Sequence, residues 1–234
     1  MERQNEALII VDVQYDFVEG GSLAVEGGTN LANRLAAFVD QGANGIVHII
    51  TTQDWHIDPG SHFADEPDFI DTWPKHCVAH THGAEIVEPL STSLKAHGVD
   101  VQIHKGMHEA AYSGFEGIEE ATGQTLAEKL RLLGVDTVYI AGIATDYCVK
   151  QTAFDAVKAG FTTKLLKDFV VGIKRASSSR SRICGRRHSF SLSGWCLSCS
   201  SCLSHLNESL LKNSMISSRS EKFLNLSMCL KSRS

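Results

Sequence analysis

Three residues able to form or break an acyl bond stand where apolar runs of this chain end. They are Asp12 after Ala7-Leu-Ile-Ile-Val, Lys105 after the run from Val99, and Cys148 just beyond the run ending at Ile143. A cysteine in the first turn of a helix meets unpaired amides and the positive end of the helix dipole. Both favour the thiolate, so Cys148 is expected to have a lowered pKa and to act as a nucleophile. The alternative is a small buried core residue. Cys77, next to His76, competes for the role but lacks the strand–turn–helix setting. Asp12 interrupts an apolar strand. A buried carboxylate is costly unless paired, so it serves either a proton transfer or the capping of nearby amides. Lys105 is either a third member of this site or a solvated strand end. Brought to one rim, Asp, Lys and Cys would form a coherent nucleophilic site.

A second constellation lies in one loop. Asp54, His56 and His62 read D-x-H-x5-H, and His76 follows in Trp73-Pro-Lys-His-Cys. Carboxylate plus imidazole suits one divalent metal ion of the Zn, Fe(II) or Mn(II) kind, with Pro59 and Gly60 shaping the loop. The chain has 11 His, so a chance set of exposed loop histidines remains the alternative.

The elements that must position these groups follow from apolar periodicity. Continuous apolar runs at 7–13, 45–52, 99–105, 137–143 and, more weakly, 162–167 predict strands buried on both faces. Helical patterns separate several of them. Leu31, Leu35 and Val39 follow Thr29 and Asn30; Leu126, Leu130 and Leu133 follow Thr122 and stop at Gly134. Val149, Ala153, Ala156 and Val157 line a helix from Thr145 or Asp146 to Gly160. This alternation predicts an α/β fold, a mostly parallel sheet with helices on both faces, its site at the carboxyl ends of the strands. The stretch 53–84 has no periodicity, yet Trp55, Phe63, Phe69 and Trp73 mark it as a functional loop rather than a disordered one.

Composition divides the chain. Over 234 residues it is 43% hydrophobic and 21% charged with net charge -5, which excludes a fibrous or fully disordered protein and argues against a nucleic-acid partner. Residues 1–173 hold 11 Lys+Arg against 25 Asp+Glu, whereas 174–234 hold 11 against 2, and 19 of those 61 residues are Ser. The expected division is therefore into a globular domain, 1–173, and a Ser/Arg-rich, poorly ordered tail, 174–234. Cys77 and Cys148 are too few and too far apart for a disulfide framework. The apolar run Ala7–Val11 is too short for a signal or a membrane span. A cytoplasmic protein without a membrane partner is expected, its oligomeric state open. In the tail, Cys196, Cys199, Cys202 and His205 read C-x2-C-x2-C-x2-H, a spacing able to bind zinc or a cluster.

These blocks together resemble one family. Ala7-Leu-Ile-Ile-Val-Asp12-Val-Gln14-Tyr-Asp16-Phe17, Gln53-Asp54-Trp-His56 through His62-Phe, Trp73-Pro-Lys-His76-Cys, Lys105-Gly-Met-His-Glu-Ala-Ala-Tyr112-Ser-Gly-Phe and Gly142-Ile-Ala144-Thr-Asp-Tyr-Cys148 are similar to the nicotinamidases, or pyrazinamidases. These belong to the isochorismatase-like cysteine hydrolases, and the likeness covers about 7–173. The resemblance implies that Cys148 attacks a carboxamide, Asp12 shuttles the proton and Lys105 supports the charges. It also implies an oxyanion hole at the amides of Ala144 and Cys148 and a cis Ile143–Ala144 peptide. Phe17, Trp73 and Tyr112 would line an aromatic slot for nicotinamide, with Asp54, His56, His62 and His76 holding the metal. A sibling hydrolase acting on another amide is the alternative, and the D-x-H-x5-H loop argues against it. The family pattern breaks at Lys174, after which the sequence reads as translation in a shifted frame, leaving an inactive or unstable product as a further alternative.

Overall fold

Ala7–Val11 has no polar side chain, and each of its residues is buried because the strand lies inside a sheet covered on both faces. In the computed structural model, residues 3–173 and 223–225 are described. All fall in one of the two compact units of the chain, the other being Arg175–Glu221. The elements are β1 (Arg3–Val11), α1 (Gly28–Asp40), β2 (Ile46–Asp54), α2 (Leu90–His97), β3 (Val101–Lys105), α3 (Leu126–Leu132), β4 (Thr137–Ile143), α4 (Cys148–Lys158), β5 (Thr162–Val171) and β6 (Phe223–Asn225). The sheet order is β3-β2-β1-β4-β5-β6. The first five strands are parallel, and β6 pairs antiparallel with β5. Among the described residues no helix is long and apolar enough to cross a membrane.

Alternation along β1 separates two cores. Leu8 and Ile10 pack with Leu31, Leu35 and Val39 of α1 and Leu90 and Leu94 of α2. Ala7, Ile9 and Val11 pack with Leu126 and Leu130 of α3 and Val149, Ala153 and Ala156 of α4. Each fully buried Leu or Ile contributes about 1.5–3 kcal/mol, so these layers hold the strand ends in place. Ile9 lies level with Ile50 and Ile140, while Asp54 lies level with Lys105. That register brings the two charged residues side by side at the carboxyl edge.

The mostly parallel sheet with helices on both faces is as expected from the sequence; several local details differ. The helix α2 was not expected, because Ser91-Thr92-Ser93 leaves only Leu90 and Leu94 to show a period. The start of α1 is capped from a distance. Glu19 accepts from Gly27 N at 2.6 Å, Thr29 N at 2.8 Å and Thr29 Oγ1 at 2.6 Å. Those bonds, the Thr29 hydroxyl foremost, hold the Glu19 carboxyl at about 2. In α3 the cap is Thr125 in a capping box with Glu128, rather than Thr122. Within the segment expected to be irregular, Phe223–Asn225 form β6 on the open edge of β5, where unpaired backbone groups accept a strand. The rest of the tail, including the C-x2-C-x2-C-x2-H residues, lies outside the described residues.

Candidate active site

Asp12 is the first residue beyond β1, and it adopts φ 50°, turning its carboxylate across the sheet edge. Its Oδ1 accepts from Thr52 Oγ1 at 2.6 Å, and its N–H donates to Thr52 O at 3.1 Å. Lys105, at the end of β3, is 1% exposed rather than solvated. Its Nζ lies 3.0 Å from Asp12 Oδ2, donates to Asp54 Oδ1 and to Ala111 O at 3.2 Å, and reaches Cys148 Sγ at 3.6 Å. The 3.0 Å contact is an ion pair without hydrogen-bond alignment, which leaves Asp12 Oδ2 as a buried acceptor without a hydrogen-bond donor. Asp12, Lys105 and Cys148 therefore converge at the carboxyl edge of three parallel strands.

Electrostatics corrects one expectation. Cys148 opens α4, as read from sequence, but its thiol pKa is raised well above the ordinary value rather than lowered. Burial is the main cause; the Asp12 and Asp54 charges add to it, and Lys105 opposes it. The resting group is a thiol. Burial also raises Asp12, outweighing Lys105. Asp54 goes the other way: burial pushes it up, but Lys105, His56 and His76 together hold it below the usual carboxylate range. Lys105 is desolvated yet raised well above its ordinary pKa by the two carboxylates, so it stays charged. Cys77 is fully buried, its thiol is raised by burial, and its Sγ points to Gly83 O at 3.8 Å.

The histidines converge as well. Ligand atoms of His56, His62 and His76 lie within 4.8 Å of one another, and all three residues are buried, not exposed loop groups. Asp54 Oδ2 is 3.9 Å from Nε2 of both His56 and His76. The Nδ1 of His56 faces Gly106 O at 2.6 Å, and that of His76 faces Pro74 O at 2.8 Å. A carbonyl at Nδ1 fixes the proton there and leaves the Nε2 lone pair free, the arrangement metal-binding imidazoles use. His56 Nε2 and His62 Nδ1 are buried without a partner, which is costly unless a cation completes the set. Burial also holds His62 at about 4, hence neutral. The donor set therefore fits a divalent metal. Gly106 is required here: at φ 70°, a Cβ would come 2.7 Å from His56 Cε1.

A cleft of about 450 Å³, partly open to solvent, joins the two clusters; its wall includes Asp54, His62, His76, Ala144 and Cys148. Phe17, Trp73 and Tyr112 also line it. Trp73 Nε1 donates to Tyr112 Oη at 3.0 Å, and Phe17 stands 5.5 Å from the His76 ring. Thr52 and Tyr147 lie in the strand-end segments 51–54 and 144–148 that the fold class singles out, but sequence reasoning assigned neither a role: Tyr147 meets Trp73 edge-on at 5.2 Å, and Thr52 anchors Asp12. A period-2 reading of β2 puts Thr52 on the face of Asp54 and would have found it. The Ile143–Ala144 peptide is cis, and neither the Ala144 nor the Cys148 amide donates to a backbone carbonyl among the described residues.

A buried thiol, carboxylate and ammonium at the edge of a parallel sheet define a nucleophilic hydrolase. The chain belongs to the isochorismatase family, whose Isochorismatase domain profile matches residues 6–182. It is 48% identical over 167 residues to the nicotinamidase/pyrazinamidase of Mycobacterium tuberculosis, covering 71% of this chain and 87% of that protein. The crystal structure of the pyrazinamidase of Pyrococcus horikoshii in complex with zinc is 40% identical, with a TM-score of 0.60 over 73% of this chain and 88% of that one. The yeast nicotinamidase bound to the inhibitor nicotinaldehyde is 27% identical, with a TM-score of 0.61 over 74% and 90%.

Proposed function

We infer that the chain hydrolyses nicotinamide to nicotinate and ammonia, a step of NAD salvage, with pyrazinamide as a further substrate. The observation that carries this reading is the Lys105 ammonium at 3.0 Å from Asp12 and 3.6 Å from the Cys148 sulfur, beside an aromatic cleft. Asp12 Oδ2 takes the thiol proton as sulfur bonds to the carboxamide carbon, and Lys105 offsets the charge that moves. The oxyanion is met by the amides of Ala144 and Cys148. Asp12 returns the proton to the nitrogen, and ammonia leaves a thioester. The same carboxylate then takes a proton from water as its oxygen bonds to the thioester carbon, and returns that proton to the departing Cys148 sulfur as the acid is released. Asp54, His56, His62 and His76 would hold one divalent metal, with zinc, iron(II) and manganese(II) all suited to the donors. When bound, the ion supplies a Lewis-acid contact for a ring nitrogen, while Phe17, Trp73, Tyr112 and Tyr147 pack the ring and orient the amide. The catalytic domain spans 1–173, and a reduced cytoplasmic setting suits its two unpaired cysteines.

Ammonia release tests the nucleophile. Cys148→Ala should fold normally and lose at least about 1000-fold in kcat, while Cys77→Ala keeps most activity. Near wild-type turnover by a folded Cys148→Ala chain would refute the assignment.

A further inference from the structure

The strand β1 leaves the sheet where the chemistry begins. Its last pairs with β2 are Ile10 with Thr51 and Val11 with Thr52. Asp12 then turns at φ 50°, which brings its carboxylate into the site and takes the backbone away from Asp54. Regular pairing would have carried the ladder on to the Asp54 peptide. The primary amide of Gln14 takes that rung instead. Its Oε1 accepts from Asp54 N at 2.9 Å, and its Nε2 donates to Asp54 O at 2.8 Å and to Ala84 O at 2.9 Å. A side-chain amide presents a donor and an acceptor together, as a peptide unit does. Gln14 is 0% exposed, so these bonds form away from water, where losing one is costly.

The residue held this way is the one both halves of the site share. Asp54 pairs with Lys105 through Oδ1 and faces His56 and His76 through Oδ2. We propose that Gln14 is a positioning residue that completes the β1–β2 ladder at Asp54, fixing one carboxylate between the lysine and the histidines. It touches neither substrate nor metal and acts through Asp54. The device lets β1 end early enough for Asp12 to serve as the base without loosening the strand beside it. This inference rests on the reading of Asp54, His56, His62 and His76 as metal ligands.

The test is Gln14→Met, which keeps length and apolar volume without the amide, read against Gln53→Met. Gln53 donates to the same Ala84 carbonyl at 2.8 Å but makes no side-chain bond to Asp54. Zinc dissociation constants are measured by chelator competition on the metal-stripped full chain, and kcat at saturating zinc. Gln14→Met should fold, weaken zinc binding at least about tenfold, and lower kcat at least about tenfold. Gln53→Met should hold both within about twofold of wild type. If Gln14→Met does not fold, Gln14→Asn, one methylene short, carries the test with smaller losses of the same kind. Unchanged zinc affinity and kcat in a folded Gln14 variant would overturn the proposal, as would equal losses in Gln53→Met. A wild type that binds no zinc would sink the metal reading instead; the kcat ratio of the two variants then decides the role of Gln14.

Discussion

Lys105 is a cation closed off from water by Asp12, Asp54 and Cys148, and a charge so placed persists only because it is paired. Its two carboxylates part company in consequence. Asp54, shared with the histidines, stays a firm anion, whereas burial makes Asp12 a better base. Divergent environments for two like groups mark one as structural and the other as the proton carrier. Asp12→Asn keeps the shape and can still meet Thr52, but it cannot take the thiol proton. It should lower kcat by about 100- to 10,000-fold and slow alkylation of Cys148 by iodoacetamide, which Cys77→Ala should leave unchanged. An Asn variant that turns over normally would remove Asp12 from the reaction. At this scale Asp12, Lys105, Cys148 and the D-x-H-x5-H run stood out by type and spacing, because a charge in an apolar strand is costly unless paired, whereas Phe17, Trp73, Tyr112 and Ala144 came from the family resemblance. The raised thiol pKa was not legible. It depends on which charges gather around sulfur in space, and sequence places Cys148 on its helix without showing Asp12 and Asp54 beside it.

The strands β1, β2 and β3 each deliver one part of the site: β2 and β3 end level at Asp54 and Lys105, β1 ends two rungs earlier where Asp12 turns inward, and the cores on either face hold these ends in place. Strands were readable from continuous apolar runs, but their ends were not: β2 extends to Asp54 and β5 to Val171, where polar residues continue the ladder. Boundaries depend on backbone pairing with neighbours that the local sequence does not contain. Capping can be tested directly. Thr125 accepts from Glu128 N and Glu128 accepts from Thr125 N, so Thr125→Ala should cost about 1 kcal/mol and lower the melting temperature by about 2–4 °C. No change in melting would mean that packing of Leu126 and Leu130 alone sets the start of α3. A second test concerns β3. His104 stacks on Trp55 at 4.3 Å, and burial holds its pKa below the ordinary 6.5 although Glu120 lies 3.3 Å away. The unfolded chain therefore binds this proton first. The stability it protects is fully present above about pH 6.5 and lost as pH falls toward the lower folded pKa. His104→Gln should flatten the fall of stability as pH drops below about 6.5, measured by urea unfolding. A parallel curve for variant and wild type would show that His104 is not a source of that slope.

Folding brings the four proposed metal ligands together, since Asp54 and His56 sit at and just beyond the end of β2, while His62 and His76 come from the segment that follows. The composition break at 174 was legible from charge and serine content alone. That Phe223–Asn225 pair with β5 was not, because pairing on an open edge needs no sequence match beyond a short extended segment. Ligand gathering across 54–76 has a thermodynamic consequence. An ion that binds the folded chain and not the unfolded one adds RT ln(1 + [L]/Kd), about 2.7 kcal/mol at 100 times Kd. For a chain of this size that is a rise in melting temperature of about 5–10 °C on adding zinc to the stripped protein, reversed by a chelator. His56→Ala should abolish the rise, because the remaining ligands cannot close the set. The same variant separates the two candidate metal sites. A rise that survives in His56→Ala would place the ion elsewhere in the chain, with Cys196, Cys199, Cys202 and His205 the next residues to replace. No rise and no one-to-one binding in the wild type would refute a metal-holding function for Asp54 and the three histidines.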